Sequence, residues 1–322
     1  MLFPLVRRAA VVLALAVAAA SLGYLLAALS LEPRDRLEGR RPRPPQAAVE
    51  AELTALNLND RMPLGERYLT WASGAVRGDF GRTLQGAEVS AALPGRLATS
   101  VVLLLPGTAL GALAGVGLGA WAALARRPGR VFTAVSHVLL ATPVFVIAIG
   151  LQVLGERLNA ATGAPLVQWV GDGGGGLGAG LQHLVLPTLT VALAQLALFG
   201  RYQQALMRDA AESEHVRAAR ARGLGLYRAY FGHGLRTALV PTATYFAYGL
   251  GFLLLGAAYV ETAFGRQGMG AWLLDSLRAS DPHPVAACTA VAALAVPAAA
   301  FVADVAHRLL DPMASRQPEG AL

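Results

Sequence analysis

Six stretches of the chain are apolar over the length of a membrane span, and the charged positions lie outside them. A helix needs roughly 20 apolar residues to cross a hydrocarbon core of about 30 Å, and none of the six stretches contains Asp, Glu or Arg. The pattern predicts an all-α integral membrane protein with about six transmembrane helices. The stretches are approximately Ala9 to Leu31, Leu97 to Ala125, Val131 to Gly155, Leu181 to Gly200, Ala238 to Val260 and Val285 to Ala303.

The first stretch has a second interpretation. Arg7 and Arg8 precede it, as basic residues precede the apolar core of a secretory signal. That core is usually about 7 to 15 residues long, and the first stretch is longer. A retained span is therefore favoured over a cleaved signal.

Composition agrees with a membrane protein and excludes some chemistry. Hydrophobic residues make up 55% of the chain and charged residues 15%, against about 25% charged residues in soluble domains. The single cysteine, Cys288, excludes an intrachain disulfide. The chain contains no lysine, so a GxxxxGK[ST] phosphate-binding loop is absent and the chain cannot be its own ATPase. We expect it not to be an enzyme and to bind no cofactor or metal.

Arginine in the short loops predicts the orientation. The positive-inside rule places arginine-rich short loops in the cytoplasm, which puts both termini there. The short loops on the opposite side carry only Arg157, Arg266 and Arg278, and the long loop at 32–96 is also rich in arginine but nearly balanced by its acidic residues. The cytoplasmic set comprises Arg7, Arg8, Arg126, Arg127, Arg130, Arg201, Arg208, Arg217, Arg220, Arg222, Arg228, Arg236, Arg308 and Arg316.

This topology divides the chain into four regions: residues 1–31 with the first span, an external loop at 32–96, a transmembrane core at 97–308 and a cytoplasmic tail at 309–322. The external loop opens with a charged, proline-rich segment, "EPRDRLEGRRPRPPQ", which is expected to be irregular. A short amphipathic helix is predicted at 47–58. Tyr68 and Trp71 suit either anchoring at the membrane interface or packing within the loop, and both interpretations stay open.

A glycine-rich run, "GDGGGGLGAG" at 171–180, lies between the third and fourth spans. Such a run is found in phosphate cradles, but the lysine that such a cradle requires is missing. A flexible external connector is therefore favoured.

The segment "EHVRAARARGLGLYRAYFGHG" at 214–234 is the most basic loop of the core. One interpretation is a solvated stretch attracted to anionic headgroups. Its shape suggests more, because a helix over 212–222 is broken by Gly223 and Gly225 and followed by a second short helix over 226–236 that enters the fifth span. Two helices joined by glycines predict a compact cytoplasmic loop at about 208–236. Its small residues allow a partner to approach, and its arginines suit bidentate pairing with carboxylates.

Seven motifs, in order from about residue 50 to the C-terminus, resemble one family. The family is the membrane-spanning subunits of binding-protein-dependent ABC importers, in the branch that serves oligopeptide, dipeptide and nickel uptake. The motifs are "GDFGRTL" at 78–84, "TPVFVIAIGL" at 142–151, "HLVLPTLT" at 183–190, "VRAARARGLG" at 216–225, "HGLRTALVPTAT" at 233–244, "ETAFGRQGMG" at 261–270 and "LLDP" at 309–312.

The resemblance implies a role for the basic loop and a set of partners. The segment from Glu214 to Gly225 would insert into clefts of two separate ATP-binding cassette ATPase subunits, which would use the ATP. Ala218 and Ala219 would give a close fit, Arg217 and Arg220 would meet acidic groups, and Gly223 would allow the sharp turn. The other implied partners are a second, nonidentical permease subunit, an extracytoplasmic solute-binding protein and membrane lipid, with no nucleic acid. The implied location is the bacterial inner membrane.

Three departures from the family pattern lie on the external side. They are the proline-rich stretch at 34–45, Arg266 and Gln267 where an aromatic residue and proline are common, and "DPHPV" at 281–285. They concern which binding protein docks and which solute passes. The sequence does not choose among peptides, nickel complexes and other small solutes.

A translocation path would be shared with the second permease, since six helices without intramembrane charge form a thin pore wall. The candidate lining residues are the polar and aromatic side chains Thr142, Gln195, Tyr245 and Tyr248. Helix packing is the alternative role for each of them.

Two other classes of protein are weighed. An ion-coupled secondary transporter or channel usually carries ionisable residues within its spans, and the six stretches have no Asp, Glu or Arg. A membrane hydrolase would use Ser136, His137 and His183, but no HExxH or GxSxG pattern occurs, and adjacent helical residues point to different faces. An importer permease is therefore favoured.

Overall fold

The computed structural model describes residues 2–169 and 177–310, without the side chains of residues 2–6, 8, 177–179, 248, 250–257, 300 and 302–310. Most of the glycine-rich connector, the tail from 311 with the second half of the "LLDP" motif, and the side chain of Tyr248 lie outside the described residues.

Helices form the described chain, and its only β-type pairing is an isolated bridge between Arg82 and Glu88. The prediction of an all-α fold is confirmed. The helices are α1 (Leu2–Ser30), α2 (Pro33–Glu38), α3 (Gln46–Ala55), α4 (Leu64–Ala75), α5 (Val89–Leu124), α6 (Arg126–Ala141), α7 (Val144–Thr162), α8 (Leu177–Ala211), α9 (Glu214–Ala221), α10 (Leu226–Ala229), α11 (Leu235–Ala263), α12 (Met269–Arg278) and α13 (Pro282–Leu310).

Five helices within the described residues are long and apolar enough to cross a membrane. Four of them match predicted spans, and the fifth, Val144–Thr162, overlaps only the second half of the third predicted span. The remaining predicted span, over 238–260, lies in the 29-residue helix α11, part of whose side chains are outside the description. The five segments are Ala9–Ser30, Val89–Leu124, Val144–Thr162, Gly180–Ala211 and Pro282–Ala299.

The third predicted span, 131–155, is not one helix. It is divided between α6 and α7 because Thr142 has an extended backbone, with φ −85° and ψ 122°. Proline at position 143 disfavours the helical conformation of the residue before it and has no N–H to continue the ladder. Pro143 instead precedes the first residue of α7, and the crossing helix begins at Val144. The prediction was wrong in joining the two segments across a proline.

The chain forms two compact units. The first contains residues up to Val101 together with Leu250–Glu261 and Gln267–Phe301, and the second contains Val102–Gly249, Thr262–Arg266 and the end of α13 from Val302. The external loop predicted at 32–96 belongs to the first unit. The basic loop, at about 208–236, belongs to the second unit.

The external loop has its own apolar core. Its start is not wholly irregular as predicted, because Pro33 occupies the first position of α2, where a missing N–H has no cost. The helix predicted at 47–58 is present as α3. Five side chains, each at most 2% exposed, cluster between these elements: Leu37, Val49, Leu53, Leu58 and Leu84. The loop therefore folds as a small helical region.

Tyr68 and Trp71 pack within the first unit. The indole of Trp71 is 6% exposed and stacks on the ring of Tyr24 in α1, with centroids 4.5 Å apart. The hydroxyl of Tyr68 lies 2.7 Å from Oγ of Ser21. Of the two open interpretations, packing is the one that the structure supports, since an interface anchor would expose its ring.

The "ETAFGRQGMG" motif folds around the buried carboxylate of Glu261 in the first unit. That carboxylate accepts hydrogen bonds from Oγ of Ser100 at 2.5 Å and from the backbone N–H of Ala271 at 2.7 Å. Ser100 Oγ in turn accepts from the N–H of Met269 at 2.8 Å. A Cβ on Gly268 would lie 2.3 Å from the carboxyl carbon, so only glycine fits there. These contacts fix the turn from α11 into α12.

In the second unit, α6 and α7 pack against the long helix α8. Helix α5 also approaches the backbone of α8 closely at four of its glycines, Gly107, Gly111, Gly115 and Gly119. A Cβ on Gly119 would lie 2.3 Å from the carbonyl oxygen of Gly200. Small residues that allow such backbone contact are typical of membrane helix interfaces. This packing places the end of α8 and the loop after it on a fixed support.

Candidate functional site

The basic loop is a helix followed by a tight turn. Helix α8 ends at Ala211, and Ser213 donates from Oγ to the carbonyl oxygen of Ala210 at 2.7 Å. Helix α9 then begins at Glu214, whose negative charge in the first turn favours a helix start. Gly223 ends the helical segment with φ +87°, a conformation that favours glycine. The first of the two predicted helices is present as α9, and only the four-residue α10 stands as a separate helix after the glycine.

One face of α9 packs on the chain itself. Val216 and Ala219 are buried, and they form a cluster with Ala229 of α10. A Cβ on Gly234 would lie 3.3 Å from Cγ2 of Val216. The loop is therefore held as a compact element against the start of the fifth span.

The other face of α9 is open. Glu214, Arg217, Ala218 and Arg220 are exposed, as is Gly223 after the helix. None of the described residues forms an ion pair with Arg217 or Arg220. Five of the six residues predicted to meet a partner therefore lie on the outer surface. The sixth, Ala219, is 5% exposed and lies on the inner face. Of the two alanines predicted to let the ATPase subunit approach closely, only Ala218 is therefore exposed to a partner.

A π-helical turn over Tyr230–Gly234 joins α10 to α11. It takes the place of the second separate helix predicted over 226–236. Tyr230 is fully buried, and its hydroxyl donates to the carbonyl oxygen of Ala120 in α5 at 3.4 Å. Burial raises the pKa of Tyr230 to about 12, so the hydroxyl stays protonated and remains a donor. The loop is thereby connected to the second span.

Two buried glutamines near the end of α8 connect further helices. Oε1 of Gln204 accepts from Arg201 at 2.7 Å and from Oγ1 of Thr133 in α6 at 3.1 Å. Oε1 of Gln203 accepts from Thr242 of α11 at 2.5 Å. Sequence reasoning missed this network, although two adjacent glutamines following an apolar stretch were a signal for it. Buried polar groups need partners, and here the partners hold three helices together beside the loop.

The predicted path residues lie at different places. The ring of Tyr245 packs on Tyr202 and Phe199 of α8, with centroids 4.7 Å and 5.4 Å apart. Gln195 lies one turn before Phe199 and is half-buried. Thr142 stands at the break between α6 and α7 and donates to the carbonyl oxygen of Val138 at 2.7 Å. The structure thus places Tyr245 against Phe199, Gln195 one turn away along α8 and facing Gly111 of α5, and Thr142 at the break between α6 and α7.

The hydrolase candidates do not form a catalytic arrangement on α6. Ser136 is 1% exposed, whereas the adjacent His137 is exposed. The two side chains point to different faces of the helix, as their spacing indicates. His183 is buried in α8. Ser136 and His137 therefore do not act together.

Comparison with known proteins agrees with the seven motifs. The family described as "Binding-protein-dependent transport system inner membrane component" matches residues 115–316. This match runs from the second half of the second predicted span into the tail and includes the basic loop. The resemblance stated from the motifs is confirmed over more than half of the chain.

Several relatives align over nearly the whole length. The chain is 43% identical over 319 residues to the oligopeptide transport system permease protein OppB of Mycobacterium tuberculosis strain H37Rv, covering 96% of this chain and 97% of the relative. It is 31% identical over 287 residues to AppB, an oligopeptide transport system permease protein of Bacillus subtilis, with 84% and 86% covered. It is 30% identical over 312 residues to the di/tripeptide transport system permease protein DppB of Pseudomonas aeruginosa, with 89% and 90% covered. The chain belongs to the family of binding-protein-dependent transport system inner membrane components, which are the multi-pass permease subunits of ABC importers.

Proposed function

We propose that this chain forms half of the translocation path of an ATP-driven peptide importer of the bacterial inner membrane. The relatives are named for oligopeptides and for di- and tripeptides, which favours peptides over nickel complexes as the solute. The other proposed subunits are a second, nonidentical permease, an extracytoplasmic binding protein and two ATPase subunits. Both termini are proposed to lie in the cytoplasm, on the arginine-rich side.

ATP hydrolysis belongs to the partner subunits in this proposal. The chain contains no lysine and therefore no GxxxxGK[ST] loop for the phosphates. No cofactor is assigned to the chain itself. Energy released on the ATPase subunits must then reach the membrane helices through a protein contact.

The segment Glu214–Gly225 is the proposed contact. The observation that carries this proposal is the division of α9 into two faces: Val216 and Ala219 are buried against the chain, whereas Arg217 and Arg220 are exposed without an ion pair among the described residues. Guanidinium groups pair well with carboxylates. An acidic cleft on each ATPase subunit would complement this face, and Ala218 would allow close approach.

Motion of α9 would be transmitted by its inner contacts. The hydrogen bond of Tyr230 leads to α5, and that of Gln203 joins α8 to α11. Closure of the ATPase pair would therefore move these helices as a rigid body, which is the kind of motion that switches access from one side to the other. Gln195, Tyr245, Tyr248 and Thr142 remain the proposed path residues.

Co-purification tests this proposal. The tagged chain is recovered from gently solubilised native membranes, and the accompanying proteins are identified by mass spectrometry. The variant Gly223→Arg adds a large side chain to the proposed contact, at a positive φ that is unfavourable for any residue other than glycine. Gly163→Arg is the matched control, since Gly163 also has a positive φ and open space around it but follows α7.

We expect an ATPase with Walker motifs to accompany the wild type and the control and to be lost from Gly223→Arg. Retention of the ATPase by Gly223→Arg would refute the coupling segment. Absence of any ATPase from the wild type would refute an ATP-driven importer and favour the ion-coupled alternative.

A further inference from the structure

A polar cavity of about 440 Å³ lies within the first unit, in the region predicted to be external. Its walls come from the end of α3, from the second half of α4 with the turn that follows, and from the start of α5, and His283 of α13 completes the lining. Small-molecule sites typically have volumes of about 300–1,000 Å³. Neither the coupling segment nor the proposed path residues line this cavity.

The walls of the cavity are held in place before any ligand arrives. The N–H of Leu84 donates to Oδ2 of Asp281 at 2.8 Å, and Nδ1 of His283 donates to the carbonyl oxygen of Arg82 at 2.8 Å. Gly81 has φ +88°, and a Cβ there would lie 2.8 Å from Nδ1 of His283, so glycine allows the turn to approach the ring. A preformed site loses less entropy when it binds a ligand.

His283 offers a buried hydrogen-bond acceptor to the cavity lining. Its side chain is 2% exposed. Because a carbonyl oxygen can only accept, Nδ1 carries the proton, and Nε2 of the neutral ring is then an acceptor. None of the described residues donates to this Nε2. Buried polar atoms need partners, and an occupant of the cavity with an N–H group can supply one.

One positive and one negative side chain of the lining remain unpaired. Arg82 donates from Nη2 to Oε1 of Glu88 at 2.9 Å, so these two charges satisfy each other. Arg77 and Asp79 are both exposed, and neither forms an ion pair within the described part of the chain. Oδ1 of Asp79 accepts from the N–H of Gly81 at 2.9 Å, which fixes the carboxylate at the edge of the cavity.

These groups distinguish between possible occupants. A simple anion such as phosphate would pair with Arg77 but would be repelled by Asp79, and a simple cation would meet the opposite situation. A zwitterion satisfies both charges. A short peptide has a carboxylate at one end, an ammonium group at the other and amide N–H donors between them, which also suit Nε2 of His283.

We propose that this cavity binds a short zwitterionic peptide. Its carboxylate pairs with Arg77, its ammonium group pairs with Asp79, and an amide N–H donates to Nε2 of His283. The choice of a peptide as the ligand rests on the proposed function, whereas binding itself requires neither ATP nor another subunit. Each exposed ion pair contributes up to about fivefold to the affinity.

Peptide titrations of the purified full chain in lipid nanodiscs, followed by saturation-transfer NMR, test the site. The probes are tri-alanine, its C-terminal amide, its N-acetyl derivative and free alanine. Arg77→Gln removes the positive charge, and Asp79→Asn removes the negative charge but keeps an oxygen for the N–H of Gly81. The matched controls are Arg36→Gln and Asp35→Asn, at exposed positions of α2 outside the cavity.

A second pair of variants tests the position of the peptide without changing a charge. Ala55→Trp places a large side chain into the cavity from the end of α3. Ala51→Trp is the control, since Ala51 lies about one turn earlier on the same helix, is also exposed and does not line the cavity.

We expect the wild type to bind tri-alanine about fivefold more tightly than the amide and about fivefold more tightly than the N-acetyl derivative. Arg77→Gln should lose the preference over the amide and keep the preference over the N-acetyl derivative, and Asp79→Asn should show the reverse. Ala55→Trp should weaken the binding of tri-alanine, and the three controls should behave as the wild type does.

Equal binding of the three tri-alanine probes by the wild type, or preferences that Arg77→Gln and Asp79→Asn leave unchanged, would overturn the proposal. Unchanged binding by Ala55→Trp would place the peptide elsewhere in the chain and would also overturn it. Binding of alanine as tight as that of tri-alanine would overturn the role of His283.

This outcome is separable from that of the proposed function. A chain that co-purifies with an ATPase but does not bind tri-alanine would overturn the peptide site alone, and peptide binding without an ATPase would overturn only the ATP-driven importer. If Arg77→Gln loses a co-purifying solute-binding protein and the wild type binds no tri-alanine, the cavity is a docking surface for that protein and the proposal is wrong.

Discussion

The hydroxyl of Thr242 donates a 2.5 Å hydrogen bond to Oε1 of Gln203, and both side chains are buried. Gln203 lies near the end of α8 and Thr242 near the start of α11. These are the two membrane helices that the segment Glu214–Gly225 connects along the chain. A contact at the base of the segment holds both helices together, so the segment has a fixed base.

Thr242→Val should destabilise the protein by about 1–3 kcal/mol. Valine has nearly the same shape but leaves Oε1 of Gln203 buried without a donor, and Nε2 of Gln203 already has no partner among the described residues. Thermal unfolding in detergent, followed by tryptophan fluorescence, measures the effect. Thr237→Val is the control, because Thr237 is exposed and its hydroxyl donates only to the carbonyl oxygen of His233, one turn earlier in the chain. Equal shifts for the two variants would show that the contact between α8 and α11 contributes nothing.

Gly223→Ala should impair coupling more than Gly225→Ala. Alanine at φ +87° costs about 1–2 kcal/mol, whereas Gly225 has φ −60°, which alanine adopts freely. Both glycines have open space around them, so the comparison separates backbone strain from steric bulk. The measurement is peptide uptake per ATP hydrolysed in the reconstituted complex. If both variants behave alike, the turn at Gly223 is not required in its present conformation.

Because of Asp281, the first unit should be more stable at acidic pH than at neutral pH. Burial raises the pKa of its carboxyl from 3.8 to about 6, although the N–H of Leu84 donates to Oδ2 at 2.8 Å. For a carboxyl whose pKa is raised by folding, the stabilisation is complete below the unfolded pKa of about 4 and is lost as the pH rises through about 6. The full change is at most about 3 kcal/mol.

Asp281→Asn tests this pH dependence. The amide stays neutral and still offers an oxygen to the N–H of Leu84, so the variant lacks the pH dependence that comes from this carboxyl. The unfolding midpoint of the wild type should fall relative to that of Asp281→Asn between pH 4.5 and pH 7.5, and other ionisable groups, such as the buried imidazole of His283, are common to both proteins. Asp275→Asn serves as the control, since the Asp275 side chain is 60% exposed. A wild-type midpoint that rises with pH relative to the midpoint of Asp281→Asn would contradict the assigned pKa direction.

Leu53→Ala should open the external loop to proteases. Leu53 is fully buried in the core of that loop, and such a truncation usually costs about 2–5 kcal/mol. Limited proteolysis of the full chain should then cut within 32–88 faster than in the wild type. Leu69→Ala, at a side chain that is 66% exposed, should change little. Similar cleavage of both variants would mean that the loop does not fold as a cooperative region.

Hydrophobic length and charge placement predicted most of the fold. Lipid imposes a minimum length on a span, so four predicted spans match helices that meet the same requirement, and a fifth overlaps such a helix in part. The break at Pro143 was missed because a hydropathy window averages over a single proline. The proline nevertheless interrupts the helix, since it has no N–H to donate. Helix α2 was missed because composition reported a charged, proline-rich stretch, whereas proline also begins helices.

The basic loop was predicted in outline and not in its contacts. Alanine and glycine spacing predicted α9 and the turn at Gly223. The burial of Ala219 depends on α10 and the π-helical turn, which bring Ala229 and Gly234 against α9. Likewise, the partners of Gln203 and Gln204 lie 39 and 71 positions away. Contacts at such separations follow from packing and are not encoded in a local pattern.

Cross-linking from α9 in native membranes tests the central claim most directly. Cys288 is buried and is removed by Cys288→Ala, and Ala218→Cys then carries a photoreactive maleimide label on the outer face of α9. Leu69→Cys provides an exposed label in the external loop. The account predicts that light joins the label at position 218 to a subunit with Walker motifs and that the label at position 69 gives no such product. Failure of position 218 to reach an ATPase, or equal labelling from position 69, would contradict the assignment of Glu214–Gly225 as the coupling segment.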